Sequence, residues 1–135
     1  MKIRSEVVDS ILFHAQLSEP RECCGILMSR DKNGGVVDLV FWGSNVEPVR
    51  PESRYELDHK SHVNAVNMEC AGEGRVVGYY HSHPSGGVNP SEVDLGRAVD
   101  QTAYLIVGMG YDRPELAAWR IDGSGYVEEP LEICV

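Results

Sequence analysis

The run Val77–Asp94, VGYYHSHPSGGVNPSEVD, constrains this chain more than any other, because it demands a strand, a sharp loop and a helix start within one short span. Val76, Val77, Tyr79 and Tyr80 are β-branched or aromatic. The spacing therefore predicts a strand whose side chains alternate between two faces, with His81 and His83 projecting from the same one. Pro84, Gly86, Gly87 and Pro90 break the strand into a loop. Asn89-Pro90-Ser91-Glu92 then reads as a helix start with Ser91 or Asn89 as N-cap, which puts Asp94 in the first turn.

Two imidazoles from a strand end and a carboxylate from the next helix can converge on one cation without unusual backbone geometry. Zinc accepts nitrogen and oxygen ligands, and three protein ligands with a fourth position left to water is the catalytic rather than the structural pattern. An isolated His-x-His is weak evidence, since such pairs are more often surface or hydrogen-bonded histidines. The weight here lies on the full spacing at a strand, loop and helix junction.

His81-Ser82-His83-Pro84, six residues, Ser91, two residues and Asp94 together resemble the JAMM motif of the MPN+ metalloproteases. These are zinc peptidases and isopeptidases that include deubiquitinases and bacterial peptidases acting on ubiquitin-like sulfur carriers. The family also needs a glutamate far upstream on its first strand. The segment Glu19–Met28, EPRECCGILM, resembles the family's P-x-E-x-C-G pattern, which places that role on Glu22. Asn45–Asp58, NVEPVRPESRYELD, resembles the small bacterial branch, so the likeness covers most of the chain.

The resemblance implies a single MPN/JAB domain over residues 1–135, with a cytidine-deaminase-like three-layer architecture. It implies one zinc per chain on His81, His83 and Asp94, with Ser91 helping to stabilise an oxyanion. It also implies a substrate tail ending in Gly-Gly on a ubiquitin-like or sulfur-carrier protein, bound as an added strand. The chain is too short for the insertions with which larger relatives grip a second ubiquitin. Zinc lowers the pKa of a held water to about 7, but amide hydrolysis still needs a base and then an acid for the leaving amine. Glu22 is the candidate for both, because residues 23–28 form an apolar run that would hold it in a buried strand. Glu19 is the competing carboxylate, but it precedes Pro20 and lies outside that run. Ser91 also reads as a plain N-cap, and the two roles are compatible.

Composition narrows the rest. A chain of 135 residues buries roughly two-thirds of its unfolded surface and forms one domain. The net charge of −9 argues against nucleic acid or an anionic membrane as partner. The sequence shows neither a signal-peptide pattern nor an apolar run near eighteen residues, so the expected location is the cytoplasm. Cys23, Cys24, Cys70 and Cys134 form no CxxC, and they read as buried small side chains rather than a zinc ribbon or a disulfide framework. A cysteine nucleophile is disfavoured.

The predicted order is α/β: a mixed sheet flanked by helices. An amphipathic helix over 6–17 is followed by strands at 22–28 and 36–42, joined by the turn Asp31-Lys32-Asn33-Gly34-Gly35. A loop over 43–54 and a short strand at 55–57 precede a helix over 61–70. The histidine-bearing strand and a helix from Ser91 to about Val99 come next, then a hairpin of 102–109 and 115–121 and a strand beginning at 125–127. His59 and His62 read as a polar helix face, and His14 as unremarkable on the first helix. Asn45 suggests a structural or substrate-contact role through its segment's likeness to the family. Three alternatives compete: a non-catalytic MPN-type scaffold, a RadC-type protein sharing the HxHPSG loop, and a metal-dependent deaminase. The full set Glu22, His81, His83, Ser91 and Asp94 speaks against the first, and Glu22-Cys23-Cys24-Gly25 against the second. Nothing matches the PCxxC ligand pair of the third.

Overall fold

Alternation along one strand sorts the core into two halves. In the computed structural model, which describes residues 1–97, 102–122 and 125–135, strand β2 (Cys24–Ser29) is buried at every position. Its Leu27 packs with Val7, Val8 and Ile11 of helix α1 (Ser5–Ser18), whereas Ile26 and Met28 pack with Ala65 and Met68 of helix α2 (His59–Cys70). A strand buried on both faces needs cover on both. The result is three layers, with α1 on one side of a central sheet and α2 on the other.

The remaining elements are β1 (Lys2–Arg4), β3 (Leu39–Trp42), β4 (Arg75–His83), α3 (Glu92–Arg97), β5 (Thr102–Gly108), β6 (Glu115–Asp122), β7 (Gly125–Glu129) and β8 (Glu132–Cys134). The sheet order is β3-β2-β4-β5-β6-β7. Only the central pair β4 and β5 is parallel, and α3 lies within the crossover that joins them. The mixed sheet expected from the sequence is therefore the one found. β1 and β8 form a separate parallel pair that ties the two chain ends together.

Several boundaries move for physical reasons. The strand expected over 36–42 begins only at Leu39, because Val37 turns aside to exchange backbone hydrogen bonds with Lys2 and Arg4. The strand expected at 55–57 is a single bridge between Leu57 and Asn45. α2 starts at His59 rather than Ser61, since the Asp58 carboxylate caps it by accepting from the Ser61 amide at 3.0 Å. The helix expected from Ser91 to Val99 is described as far as Arg97, and its last two positions lie outside the described residues. β1 and β8 were not anticipated: three residues each are too few to show a period. No described helix is long and apolar enough to cross a membrane.

Candidate metal centre

Register decides which side chains meet. Cys24 pairs with His81 across the antiparallel β2 and β4, and directly opposed residues share a face. The pairing continues past the ladder: the Ser82 amide donates to the Cys23 carbonyl at 3.1 Å, and the Cys23 amide to Ser82 Oγ at 2.9 Å. One residue further back, Glu22 reaches the level of His83. Ser82 points to the opposite face, as alternation requires, and is fully buried there.

The loop after His83 folds back onto the end of β5. The Met109 amide donates to the His83 carbonyl at 3.0 Å, the Gly110 amide to the Gly86 carbonyl at 3.0 Å, and Trp119 Nε1 to the Val88 carbonyl at 2.7 Å. A Cβ at Gly108 would stand 2.8 Å from the carbonyl carbon of Gly87, so the approach needs glycine. This fold-back brings the start of α3 against the histidines. There Ser91 and Asp94 close a reciprocal cap: the Asp94 amide donates to Ser91 Oγ at 3.1 Å and the Ser91 amide to Asp94 Oδ2 at 2.8 Å.

Glu22, His81, His83 and Asp94 thereby offer ligand atoms that all lie within 4.8 Å of one another. His83 Nε2 is 3.0 Å from Asp94 Oδ2, His81 Nε2 is 3.1 Å from the same oxygen, and the two Nε2 atoms are 3.2 Å apart. Ligands about 2.0–2.1 Å from a tetrahedral zinc stand about 3.3 Å from each other. The triangle is close to that size. Proton accounting points the same way: His83 Nδ1 donates to the Gly87 carbonyl at 2.8 Å, so a neutral ring turns a lone pair on Nε2 toward the Asp94 carboxylate. Two lone pairs at that distance require a proton or a cation between them.

Burial sharpens the demand. His81 is 1 % exposed, Glu22 4 % and Asp94 9 %. Burial pushes the Glu22 carboxyl up to about 8, with His83 opposing the shift and Asp94 adding to it. Burial lowers His81. It acts on His83 in the same sense, but the hydrogen bond and charge of Asp94 hold that ring above its ordinary value. Burial would raise Asp94, yet hydrogen bonds from both histidines keep it well below the usual carboxylate range. Glu22 Oε1 and His81 Nδ1 are buried without a hydrogen-bond partner. A buried carboxylate oxygen is costly to keep in this state unless something is bound beside it, whereas His81 Nδ1 lies across the ring from the Nε2 that faces the cluster. Two nitrogens and a carboxylate oxygen on a zinc-sized triangle, beside the unpartnered Oε1 of Glu22, fit a zinc ion.

The other candidates sort themselves by position. Glu19 caps the end of α1 and is exposed, outside the cluster. Cys23 and Cys24 are 2 % and 1 % exposed, and burial pushes the Cys23 thiol up to about 11 and Cys24 higher still, which makes both poor nucleophiles. His62 stacks on Tyr79, and His59 opens α2. His14 is more than unremarkable: it is buried, stacked on Trp42 at 4.4 Å, with Nδ1 2.7 Å from the Tyr80 hydroxyl. Tyr55, read only as part of a short strand, stacks on His81 at 4.5 Å. Its signal was the one aromatic residue in the 45–58 segment. A cleft of about 230 Å³, lined by Glu52, Ser53, Ser85, Asn89 and Ser91, reaches the cluster at Glu22 and His83.

Fold and cluster together define a JAB-type domain with a candidate metal centre. Residues 4–122 match the family model described as prokaryotic homologs of the JAB domain, and the chain belongs to that family. It is 30% identical over 134 residues to the CysO-cysteine peptidase of Mycobacterium tuberculosis, spanning 97% of this chain and 89% of the mycobacterial one. It is 36% identical over 103 residues to the desampylase of Haloferax volcanii, spanning 73% and 72% of the two chains. A JAB1/MPN domain protein from Archaeoglobus fulgidus shares the fold, with a TM-score of 0.65 over all of both chains at 24% identity.

Proposed function

We propose that residues 1–135 form one JAMM-type catalytic domain, a zinc-dependent peptidase or isopeptidase. Its substrate is the C-terminal Gly-Gly tail of a ubiquitin-like or sulfur-carrier protein. The observation that carries this reading is the convergence of Glu22, His81, His83 and Asp94 within 4.8 Å. The peptidase and desampylase named among its relatives support the substrate class.

His81, His83 and Asp94 would hold the ion. When bound, zinc supplies Lewis acidity toward a carbonyl and a water acidified to a pKa of about 7. Glu22 takes the proton of the attacking water and returns it to the departing amine. Its position supports that role: the carboxylate is buried beside the three ligand atoms, within reach of a water held there. Ser91 accepts from the Asp94 amide through a lone pair, which leaves its hydroxyl proton free for the developing oxyanion. Tyr55 holds the His81 ring by stacking. Glycine at the end of the substrate suits the cleft because it brings backbone to the cluster without side-chain bulk.

The cytoplasm is the proposed location. A scaffold without catalysis would have no use for a buried Glu22 carboxylate whose Oε1 lacks a partner beside three ligands. The test is a ubiquitin-like protein joined through Gly-Gly to a C-terminal reporter, with an isopeptide-linked version beside it. Cleavage after the second glycine that a chelator stops and zinc restores is the expected result. Zinc-loaded protein that cleaves neither probe would overturn the reading.

A further inference from the structure

The segment 43–58 is built around one side chain. Its ends meet where the Ser44 carbonyl accepts from the Asp58 amide at 3.1 Å and the Asp58 carboxylate accepts from the Ser44 amide at 2.8 Å. Between them the Asn45 side chain is fully engaged. Its Nδ2 donates to the carbonyls of Glu22 at 3.0 Å and Arg54 at 3.0 Å, with a third carbonyl, that of Pro51, at 3.3 Å. Its Oδ1 accepts from the amides of Glu47 at 3.0 Å and Glu56 at 3.1 Å. Every neighbour of Nδ2 is an acceptor and every neighbour of Oδ1 a donor, so the amide has one orientation that satisfies it.

One of those carbonyls belongs to the carboxylate that matters. Glu22 lies two residues before β2 begins, so the sheet ladder does not fix its backbone. The loop does. The Glu22 amide donates to the Pro51 carbonyl at 2.8 Å, and its carbonyl accepts from Asn45. Both polar groups of the Glu22 backbone are therefore held by 43–58, while its buried side chain makes no hydrogen bond through Oε1. The metal-ligating side chains stand on β4 and α3 and receive no hydrogen bond from Asn45.

We infer that Asn45 is the positioning residue for Glu22: its amide fastens the loop to the Glu22 backbone and so fixes where the carboxylate stands in the cluster. The inference rests on the reading of Glu22 as the proton-transfer group. Asn45→Asp isolates the contact, because it keeps an acceptor for Glu47 and Glu56 but sets a carboxylate against the Glu22 and Arg54 carbonyls. Asn45→Ala removes both halves.

The first measurement needs no substrate. Amide hydrogen exchange is followed by NMR in the zinc-loaded wild type, Asn45→Asp and Asn45→Ala. Exchange at Glu22 should be at least about tenfold faster in both variants, with the amides of Ile26 and Leu27 in the β2 ladder unchanged. Zinc content should match the wild type. The second measurement is steady-state cleavage of the Gly-Gly reporter fusion: kcat should fall about 100-fold with KM within a factor of two, the size of loss expected from misplacing a reacting group by about 1 Å. Wild-type exchange at Glu22 in Asn45→Asp, or zinc loss together with faster exchange throughout β2, would overturn the assignment. So would an active wild type whose kcat is unaltered in both variants. If the wild type cleaves nothing, the reading of the active site fails, and the exchange arm still decides whether Asn45 holds Glu22.

Discussion

Two buried histidines, one on each face of the sheet, show what separates a satisfied core residue from a candidate ligand. His14, on the α1 side, is a satisfied core group: its ring stacks on Trp42 and its Nδ1 is 2.7 Å from the Tyr80 hydroxyl. His81 is the next residue after Tyr80 and is also buried and stacked, in its case on Tyr55. There the likeness stops. His81 turns Nε2 toward another imidazole and a carboxylate, and its Nδ1 has no partner. Burial lowers the pKa of both rings, so titration behaviour does not tell them apart. The number of unshared electron pairs aimed at one point does.

The comparison is most strongly tested by removing members of the cluster one at a time. His83→Ala and Asp94→Asn should lose bound zinc and all turnover. Glu22→Gln should keep zinc and lose at least about 10²–10⁴-fold in rate, since its proton transfers disappear while the ligand triangle stays. Elemental analysis beside a cleavage assay reads both quantities. Equal zinc loss in all three would remove Glu22 from the role of base.

A smaller effect is expected at Ser91. Ser91→Ala should lower kcat by about 10²–10³-fold through the lost oxyanion donor and destabilise the protein by about 1 kcal/mol through the lost cap. A stability loss with unchanged kcat would leave Ser91 a cap alone.

On the other face, His14→Phe keeps an aromatic ring beside Trp42 but strands the Tyr80 hydroxyl. Stability should fall by about 1–3 kcal/mol with zinc content intact. Zinc loss in this variant would erase the distinction between the two histidines. Acid should act on the cluster side, because Asp94 holds the His83 ring above its ordinary value and a proton there competes with zinc. Once the pH is below the raised pKa of His83, zinc affinity should fall about tenfold per unit, and it should level off above that pKa. An isothermal titration series in pH measures this.

The two faces were not equally legible in the sequence. Alternation across Val77–His83 placed both histidines on one face, and the Ser91 and Asp94 spacing supplied the helix cap, so the candidate triangle of His81, His83 and Asp94 follows from local pattern. Glu22 was pointed to by likeness to a family motif and by the apolar run 23–28 after it, but no local period links it to residues sixty positions away. The buried side of α1 was visible at Val7, Val8 and Ile11, but the pairing of His14 with Tyr80 was not, as it depends on how helix and sheet dock. Tyr55 and Asn45 sit in a segment without periodicity, and hydrogen bonds between distant backbone groups define their roles. β1 and β8 join the two ends of the chain, a contact with no local signature at all.

The most direct test of the central claim is the metal content of the purified protein beside the double variant His81→Ala/His83→Ala. About one zinc per chain is expected in the wild type and none in the variant, with both folded. A wild type that holds no metal and takes up none when zinc is added would contradict that claim.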